Sequence, residues 1–297
     1  MGVPSSGQVS INNIVSEFGG TEPHQLSEYY RDGGSVPGNN TNVPTSGEIK
    51  LSDFYGAVNS VVVTLSAPAN DVELSTTFGS DWTSTIPKVL NIDSGVTIGA
   101  TTLSHALRVT TGMGGSLVIN NAGAIQGKGG APGGYRGEHT STSGNSTPPA
   151  GGPGADGGPA ISVVSAGTTI NNTGSISGGG GSGGGGGAGQ RGQVMSGRRA
   201  GGDGGIGGLG QGYNQSNTNG SVGLAGPQGL SRGGAGGPGG TFGVAGSAGA
   251  EGGRARFPAP GSVKGDGGPG GAAGSAIKND GATWTNGTTS GTYHGAY

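Results

Sequence analysis

Glycine recurs at every third position over long stretches, and no other feature of the chain restricts its fold so severely. One row runs through Gly180, Gly183, Gly186, Gly189 and Gly192, and another through Gly201, Gly204, Gly207 and Gly210. Further rows begin at Gly220, Gly240 and Gly265. A flexible linker has no reason to hold a period. Three residues per turn is the period of the polyproline II helix, which makes no hydrogen bonds within itself. Its N–H and C=O groups point sideways, so a buried helix of this kind needs a neighbour for them. A row without Cβ atoms lets two such helices approach closely enough to bond backbone to backbone. An intrachain bundle fits better than collagen, which needs long unbroken repeats and abundant proline. Here the rows break, the phase slips between them, and only 16 of 297 residues are proline.

Composition supports a lattice over an ordinary core. Glycine supplies 76 residues, and only 29% of the chain is hydrophobic. Ordering that much glycine is entropically costly, so the bundle must be cooperative. The net charge of −2 gives no electrostatic reason to expect nucleic acid or an anionic membrane as partner. No cysteine is present, which excludes disulfides and thiol chemistry. No apolar run approaches the roughly 18 residues of a membrane helix, so no membrane insertion is expected. The opening residues lack a charged stretch followed by an apolar one, so no signal peptide is read there.

Three compositions follow one another, and they give three expected units: 1–57, 58–126 and 127–297. The first contains a repeat, VPSSGQVSI at residues 3–11 and VPTSGEIKL at residues 43–51. Ser10 is placed to cap a helix whose Ile11, Ile14, Val15 and Phe18 form one apolar face. Tyr29, Tyr30, Phe54 and Tyr55 add aromatic surface. Two readings stand: an attachment module that completes itself on a partner through Ile11, Ile14, Phe18, Tyr29, Tyr30, Phe54 and Tyr55, or a small self-contained domain. The second unit has β character, with Val61, Val63 and Leu65 alternating with smaller or polar residues. A second repeat, INNAGAIQG at residues 119–127 and INNTGSISG at residues 170–178, runs each time into glycines. Two copies do not define a solenoid, but they predict that both glycine-rich stretches leave a common β layer in the same direction.

Chemistry that turns over a substrate is not expected. His24, His105, His139 and His294 are scattered, with no Cys, Asp or His at metal-ligand spacing. No phosphate-binding Gly-x4-Gly-Lys-Ser/Thr loop occurs, and the 16 acidic residues do not cluster. The many Gly-x-Gly-x-x-Gly strings follow from composition and lack the strand–turn–helix context that gives them meaning. No enzyme activity, metal or cofactor is expected.

The stretches VPSSGQVSINNIVSEFGG, LSEYYRDGG and VPTSGEIKLSDFYGA resemble a module of tailed-bacteriophage tail and baseplate proteins. IDSGVTIGATTLSHALRVTTG and SLVINNAGAIQGKGG resemble phage fibre and minor-tail proteins. The remainder is similar in style to the glycine-rich tip adhesins of long tail fibres in T-even-like phages. That family folds its glycine motifs into a sandwich of polyglycine II helices and presents variable loops to the host. The expected fold is therefore mostly non-α: a small N-terminal docking module, a short β segment, then a bundle of polyglycine II helices connected by loops. The resemblance implies a virion protein of the tail or tail-fibre tip. Its implied partners are a tail fibre or baseplate protein and a bacterial surface receptor, either an outer-membrane protein or lipopolysaccharide. The rival readings are a purely structural fibre component and an ice-binding protein.

If the helices alternate in direction, the inserts 135–150 and 193–200 lie far from the β layer. They carry Tyr135, Arg136 and His139, and Met195, Arg198 and Arg199. The insert 254–264 is a further candidate, with Arg254, Arg256 and Phe257. Tyr213, in the insert 213–219, is expected on the β side but shares the chemistry. Tyrosine, arginine and small polar residues on a rigid frame make aromatic anchors with adaptable hydrogen bonds. Arginine pairs also hold phosphates or carboxylates. These ten residues form the expected receptor-binding set. Trp284, Tyr293 and Tyr297 are expected to seal the bundle.

Overall fold

The computed structural model describes residues 2–135, 148–194, 197–227 and 231–297. Its first 57 residues build a core of their own. The Ser10 hydroxyl accepts from the Asn13 N–H, and the Asn13 side chain accepts from the Ser10 N–H. This reciprocal capping box starts α1 (Ile11–Phe18), which ends at Gly19. The helix turns Ile14 and Phe18 onto Val3, Val9, Tyr29, Val36, Val43, Phe54 and Ala57, all buried. The repeated VP-x-SG turns are held by two reciprocal clasps. Tyr55 donates its hydroxyl to the Gly7 carbonyl in the first copy, and Tyr30 donates to the Gly47 carbonyl in the second. Gly7 and Gly47 sit at φ 86° and 85°, where a side chain would be strained.

This arrangement corrects the expected attachment set. Ile14, Phe18, Tyr29 and Phe54 are the interior of the module, so they are not available to a partner. Of that set, Ile11 and Tyr30 are half-buried and Tyr55 is exposed.

From Val61 onward the chain winds into a three-sided parallel solenoid. The first coil is β1 (Val61–Leu65), β2 (Ala69–Asn70) and β3 (Val72–Glu73), followed by the short helix α2 (Leu74–Phe78). The second is β4 (Lys88–Ile92), β5 (Thr97–Gly99) and β6 (Leu107–Val109). The third is β7 (Leu117–Asn121), β8 (Ala124–Gln126) and β9 (Ile161–Val163). In the fourth, β10 (Thr168–Asn172) and β11 (Ser175–Ser177) are separated from the third side by a long excursion. That excursion contains the hairpin β12 (Gly192–Val194) and β13 (Gly197–Arg199), and the chain then returns as β14 (Ile277–Asn279). β15 (Trp284–Thr289) and β16 (Thr292–His294) begin a fifth coil. The sheets run β1-β4-β7-β10-β15, β2-β5-β8-β11-β16 and β3-β6-β9-β14, every pair parallel.

The register explains the stability of this stack. Leu90, Ile119 and Ile170 lie in line inside the first sheet, Ile98, Ile125 and Ile176 inside the second, and Leu107, Ile161 and Ile277 inside the third. Polar positions stack as ladders. Asn120 Nδ2 donates to Asn91 Oδ1 at 2.9 Å, and Asn171 Nδ2 donates to Asn120 Oδ1 at 2.8 Å. Asn121 Nδ2 reaches Asn172 Oδ1 at 2.8 Å in the interior. Lys88 is fully buried, and its ammonium donates to the carbonyls of Ser84, Ile86 and Gly114 at 2.8 to 3.0 Å. Burial lowers its pKa against the raising effect of Asp81. The β part thus exceeds residues 58–126, because 161–177 and 277–294 belong to the same sheets. Trp284 and Tyr293 pack on the solenoid core, with Tyr297 stacked on Tyr293 at 4.4 Å, so they close the solenoid instead of the glycine bundle.

Two excursions leave the solenoid between its second and third sides. Among the described residues they form eight extended glycine-rich runs: 127–134, 149–158, 178–191, 200–212, 216–226, 231–240, 244–253 and 265–275. The third run occupies the axis. Its N–H groups turn to three neighbours with a period of three residues. Gly179, Ser182 and Gly185 donate to the second run, Gly180, Gly183, Gly186 and Gly189 to the fourth, and Gly181, Gly184, Gly187 and Gln190 to the seventh. Its carbonyls accept from the first, sixth and eighth runs in the same rotation, and these bonds span 2.7–3.0 Å. The six surrounding runs also bond to one another in a closed ring: first, second, eighth, seventh, sixth, fourth and back to the first. The fifth run lies outside, on the fourth and sixth.

Such packing explains the run GGGGSGGGGGAG. A chain enclosed on all sides has no direction left for a side chain. A Cβ on Gly183 would lie 1.8 Å from the Gly237 carbonyl oxygen, and one on Gly186 would lie 2.0 Å from that of Gly234. Ser182 is tolerated because its hydroxyl bonds to the Ala131 and Ala155 carbonyls.

Candidate functional site

Odd-numbered runs lead away from the solenoid and even-numbered runs return. The turns at 213–215 and 241–243 therefore lie at the solenoid end. The described ends of the other connections (Tyr135 with Pro148, 192–194 with 197–199, Pro227 with Ser231) and the loop 254–264 lie at the far, distal end. The third run stops there in side-chain bonds. Gln190 Nε2 donates to the Ser262 carbonyl at 2.8 Å, and its Oε1 accepts from the Ala255 N–H at 3.2 Å. Ser231 Oγ donates to the Gln190 carbonyl at 2.6 Å. The Arg191 carbonyl accepts from Ala259 N–H at 3.1 Å and from Ser262 Oγ at 3.2 Å. Gln193 N–H then donates to the Phe257 carbonyl at 2.8 Å, so the β12–β13 hairpin and the loop 254–264 lie side by side.

The expected receptor-binding residues divide by this geometry. Phe257 is 61% exposed, with the Arg256 guanidinium 5.6 Å from its ring centre, and Arg254 is also exposed. A cation over a ring face is attracted by the ring's quadrupole, which holds this pair together on the surface. Arg199 is exposed on β13. Arg198 pairs with Gln193 through the backbone, and its side chain lies outside the described structure. Arg136, His139 and Met195 lie outside the described residues. Tyr135 is 52% exposed and walls an apolar cleft of about 260 Å³ with Ile206, Val222 and Leu224, where Asp203 Oδ1 has no hydrogen-bond partner.

Tyr213 lies on the β side, as expected, and there it leaves the receptor-binding set. Its ring lies against Gly99 on β5, so close that a Cβ at Gly99 would meet it at 2.2 Å. It therefore anchors the lattice to the solenoid and stands apart from the distal loops.

Arg191 was not anticipated. It is only 6% exposed, and its Nε has no hydrogen-bond partner. Lying between Gly189 and Gly192, it reads in sequence as part of the scaffold. The available signal was a long charged side chain in a run that otherwise excludes side chains.

Elsewhere, a cleft of about 470 Å³ on the third sheet is lined by His105, Arg108, Ser162, Lys278 and Asp280. Its charges are satisfied locally: Lys278 lies 2.7 Å from Asp280, and His105 Nε2 lies 2.8 Å from Glu73. Burial would raise the Asp280 carboxyl, but hydrogen bonds from Lys278 and Ser162 and the charges of Lys278 and Arg108 hold it below its ordinary range. Among the described residues, no three His, Asp or Glu side chains gather to hold a metal.

Fold and site together define a scaffold that presents a set of loops at one end, the build of an attachment protein. The comparisons give the family. A family model described as phage tail fibre adhesin Gp38 matches residues 60–297. The chain belongs to that family, and it is a tail-fibre adhesin of a bacteriophage virion. The match begins where the second hydrophobic core begins. A solved structure, the gp37–gp38 adhesin tip complex of the long tail fibre of bacteriophage S16, matches with a TM-score of 0.47 and 19% identity over 99% of each chain. A comparison with curated proteins finds no match.

Proposed function

We propose that this chain sits at the tip of the tail fibre and binds a receptor on the bacterial surface through its distal loops, without catalysis. In this reading the eight glycine-rich runs are polyglycine II helices, and the ring of six around the third makes the frame rigid. The three-residue rotation of bonding partners along residues 179–190 is the observation that carries it. A frame saturated by its own backbone bonds offers few unpaired backbone groups to a partner, and in this reading specificity is left to side chains, above all those at the ends.

Of those ends, one is occupied by the solenoid. The other carries Tyr135, Arg199, Arg254, Arg256 and Phe257, with Arg136, His139, Met195 and Arg198 in the same loops by sequence. Rigid aromatic anchors beside arginines bind with little loss of conformational entropy. Residues 1–57 form the attachment module in this reading. It docks on a tail-fibre or baseplate protein through its outer surface, where Tyr55 and Leu51 are exposed. Residues 60–297 act as one receptor-presenting body.

The test is binding of the intact protein to a panel of bacterial strains, beside a variant with residues 193–199 and 254–264 replaced by Gly-Ser loops of equal length. Strain-selective binding that the variant loses is the expected result. Equal binding by a folded variant would move the site away from these loops. No binding by the intact protein to any strain, the phage's own host included, would reduce the chain to a structural part of the fibre.

A further inference from the structure

The distal end is cationic in a chain that is not. Among the described residues, the distal stretches 190–194, 197–200, 231–232 and 254–264 contain seven Arg or Lys and no acid, whereas the whole chain has a net charge of −2. The neighbouring acids on the runs are Asp203, Glu251 and Asp266, and Glu251 is engaged by Lys264. At the centre lies Arg191, 6% exposed, with Nε unpartnered. No ion pair of Arg191 occurs among the described residues, and a buried charged-group donor left without a partner is unfavourable. Native proteins leave few buried polar groups unsatisfied, and those few call for an explanation.

We propose that Arg191 is an anion-binding group of the receptor face, and that its ligand is a phosphate group of the host's surface glycolipid. This rests on the receptor-binding reading above and adds the ligand class. A phosphate monoester carries up to two charges and three acceptor oxygens on a compact head. It suits a recessed guanidinium flanked by further cations, because one group can answer several of them. Arg232 and Arg254 are both exposed near this level: Gly253 donates its N–H to the Arg232 carbonyl and its carbonyl accepts from the Gln190 N–H, while Arg232 Nε donates to the Gly223 carbonyl at 3.0 Å. Arginine forms two parallel bonds to phosphate, which lysine does not reproduce. The exposed Phe257 with Arg256 beside it offers a flat apolar surface for the sugar that carries the phosphate.

The experiment uses the full chain with Arg191→Met and Arg191→Lys variants. Three probes are immobilised: lipopolysaccharide from a sensitive strain, the same material after hydrofluoric-acid dephosphorylation, and vesicles holding outer-membrane proteins without lipopolysaccharide. The wild type is expected to lose about ten-fold or more in affinity on dephosphorylation, the scale of a charged hydrogen-bonded pair. Arg191→Met is expected to show that loss on the phosphorylated probe and no further loss on the dephosphorylated one, with Arg191→Lys between. Its melting temperature is expected to equal or exceed the wild type's, because a buried donor without a partner has been removed.

A folded Arg191→Met variant that binds like the wild type would overturn the proposal. So would a fall in its melting temperature, which would reveal an internal partner. Binding that ignores dephosphorylation but needs the protein vesicles would assign the anion to a protein carboxylate and likewise overturn it. Wild-type protein that binds no sensitive cell sinks the receptor-binding reading itself, whereas cell binding indifferent to Arg191 sinks this inference alone.

Discussion

Replacing Gly183 by alanine tests the lattice at its axis. The new methyl carbon would start 1.8 Å from the Gly237 carbonyl oxygen and 2.9 Å from the Gly208 nitrogen. The oxygen must retreat by about 1.2 Å to reach even a 3.0 Å contact, tighter than most real Cβ contacts. Both neighbours are backbone, so no flexible side chain can absorb the shift. Three bonds meet at this point: Gly183 N–H to Gly208, Gly208 N–H to Gly237, and Gly237 N–H to Gly184, at 2.8 to 2.9 Å. Overpacking alone costs about 1–3 kcal/mol, and each buried group left unpaired adds about 1–3 kcal/mol. The unfolded chain gives back only about 0.4–1 kcal/mol when glycine becomes alanine. The expected net loss is about 3–6 kcal/mol, or roughly 6–24 °C in melting temperature for a body of this size. Gly134→Ala is the control, because a Cβ there meets nothing within 4 Å, and it should stay within about 1 kcal/mol of wild type. The assay is thermal unfolding by calorimetry on both variants. A Gly183→Ala protein that melts within about 2 °C of wild type would refute a close-packed backbone interior.

Two further outcomes concern the solenoid. Asn121→Ala leaves the Asn172 Oδ1 acceptor in the interior without its donor. It should cost about 1–3 kcal/mol in a denaturant titration, and a neutral result would mean that the ladder contributes nothing. Asp280 has a folded pKa below its unfolded value. The folded state thus resists protonation, and the stabilisation is present above the unfolded value near about 4 and is lost as pH falls through the folded one. The melting-temperature gap between wild type and Asp280→Asn should narrow on acidification from pH of about 5 to about 2, and parallel curves would contradict this.

The glycine runs and their alternation were legible because period is a direct record of geometry: a face that recurs without a side chain is a face in contact. The solenoid was not legible. Its coils are interrupted by the two glycine excursions, and the copy VLNIDSGVTIG carries two extra residues in the turn between β4 and β5 compared with β7 and β8. That small offset hides Leu90 and Ile98 from alignment with Ile119 and Ile125, although the strands pair in register. Four members of the attachment set turn inward for another reason. An apolar helix face reads alike whether it meets a partner or its own domain, and Ile14 and Phe18 meet Tyr29 and Phe54. Arg191 escaped because it keeps the glycine period on either side. Tyr213 had the chemistry of a recognition residue, but its position was set by the direction of the run before it.

The place where the excursions join the solenoid has one more consequence. Gln126 and Ile161 end and resume one coil, and Ser177 and Ile277 do the same for the next. The coils close across the same gap whatever the chain does between those points. The flanking repeats, 119–127 and 170–178, are near copies of each other. Only the first excursion lies between these repeats, so the piece they bracket carries the first two runs, while the axis run 178–191 and the runs after it enter and leave between Ser177 and Ile277. The fold thus separates the strands that hold the coils together from inserted runs whose length and sequence that gap does not dictate.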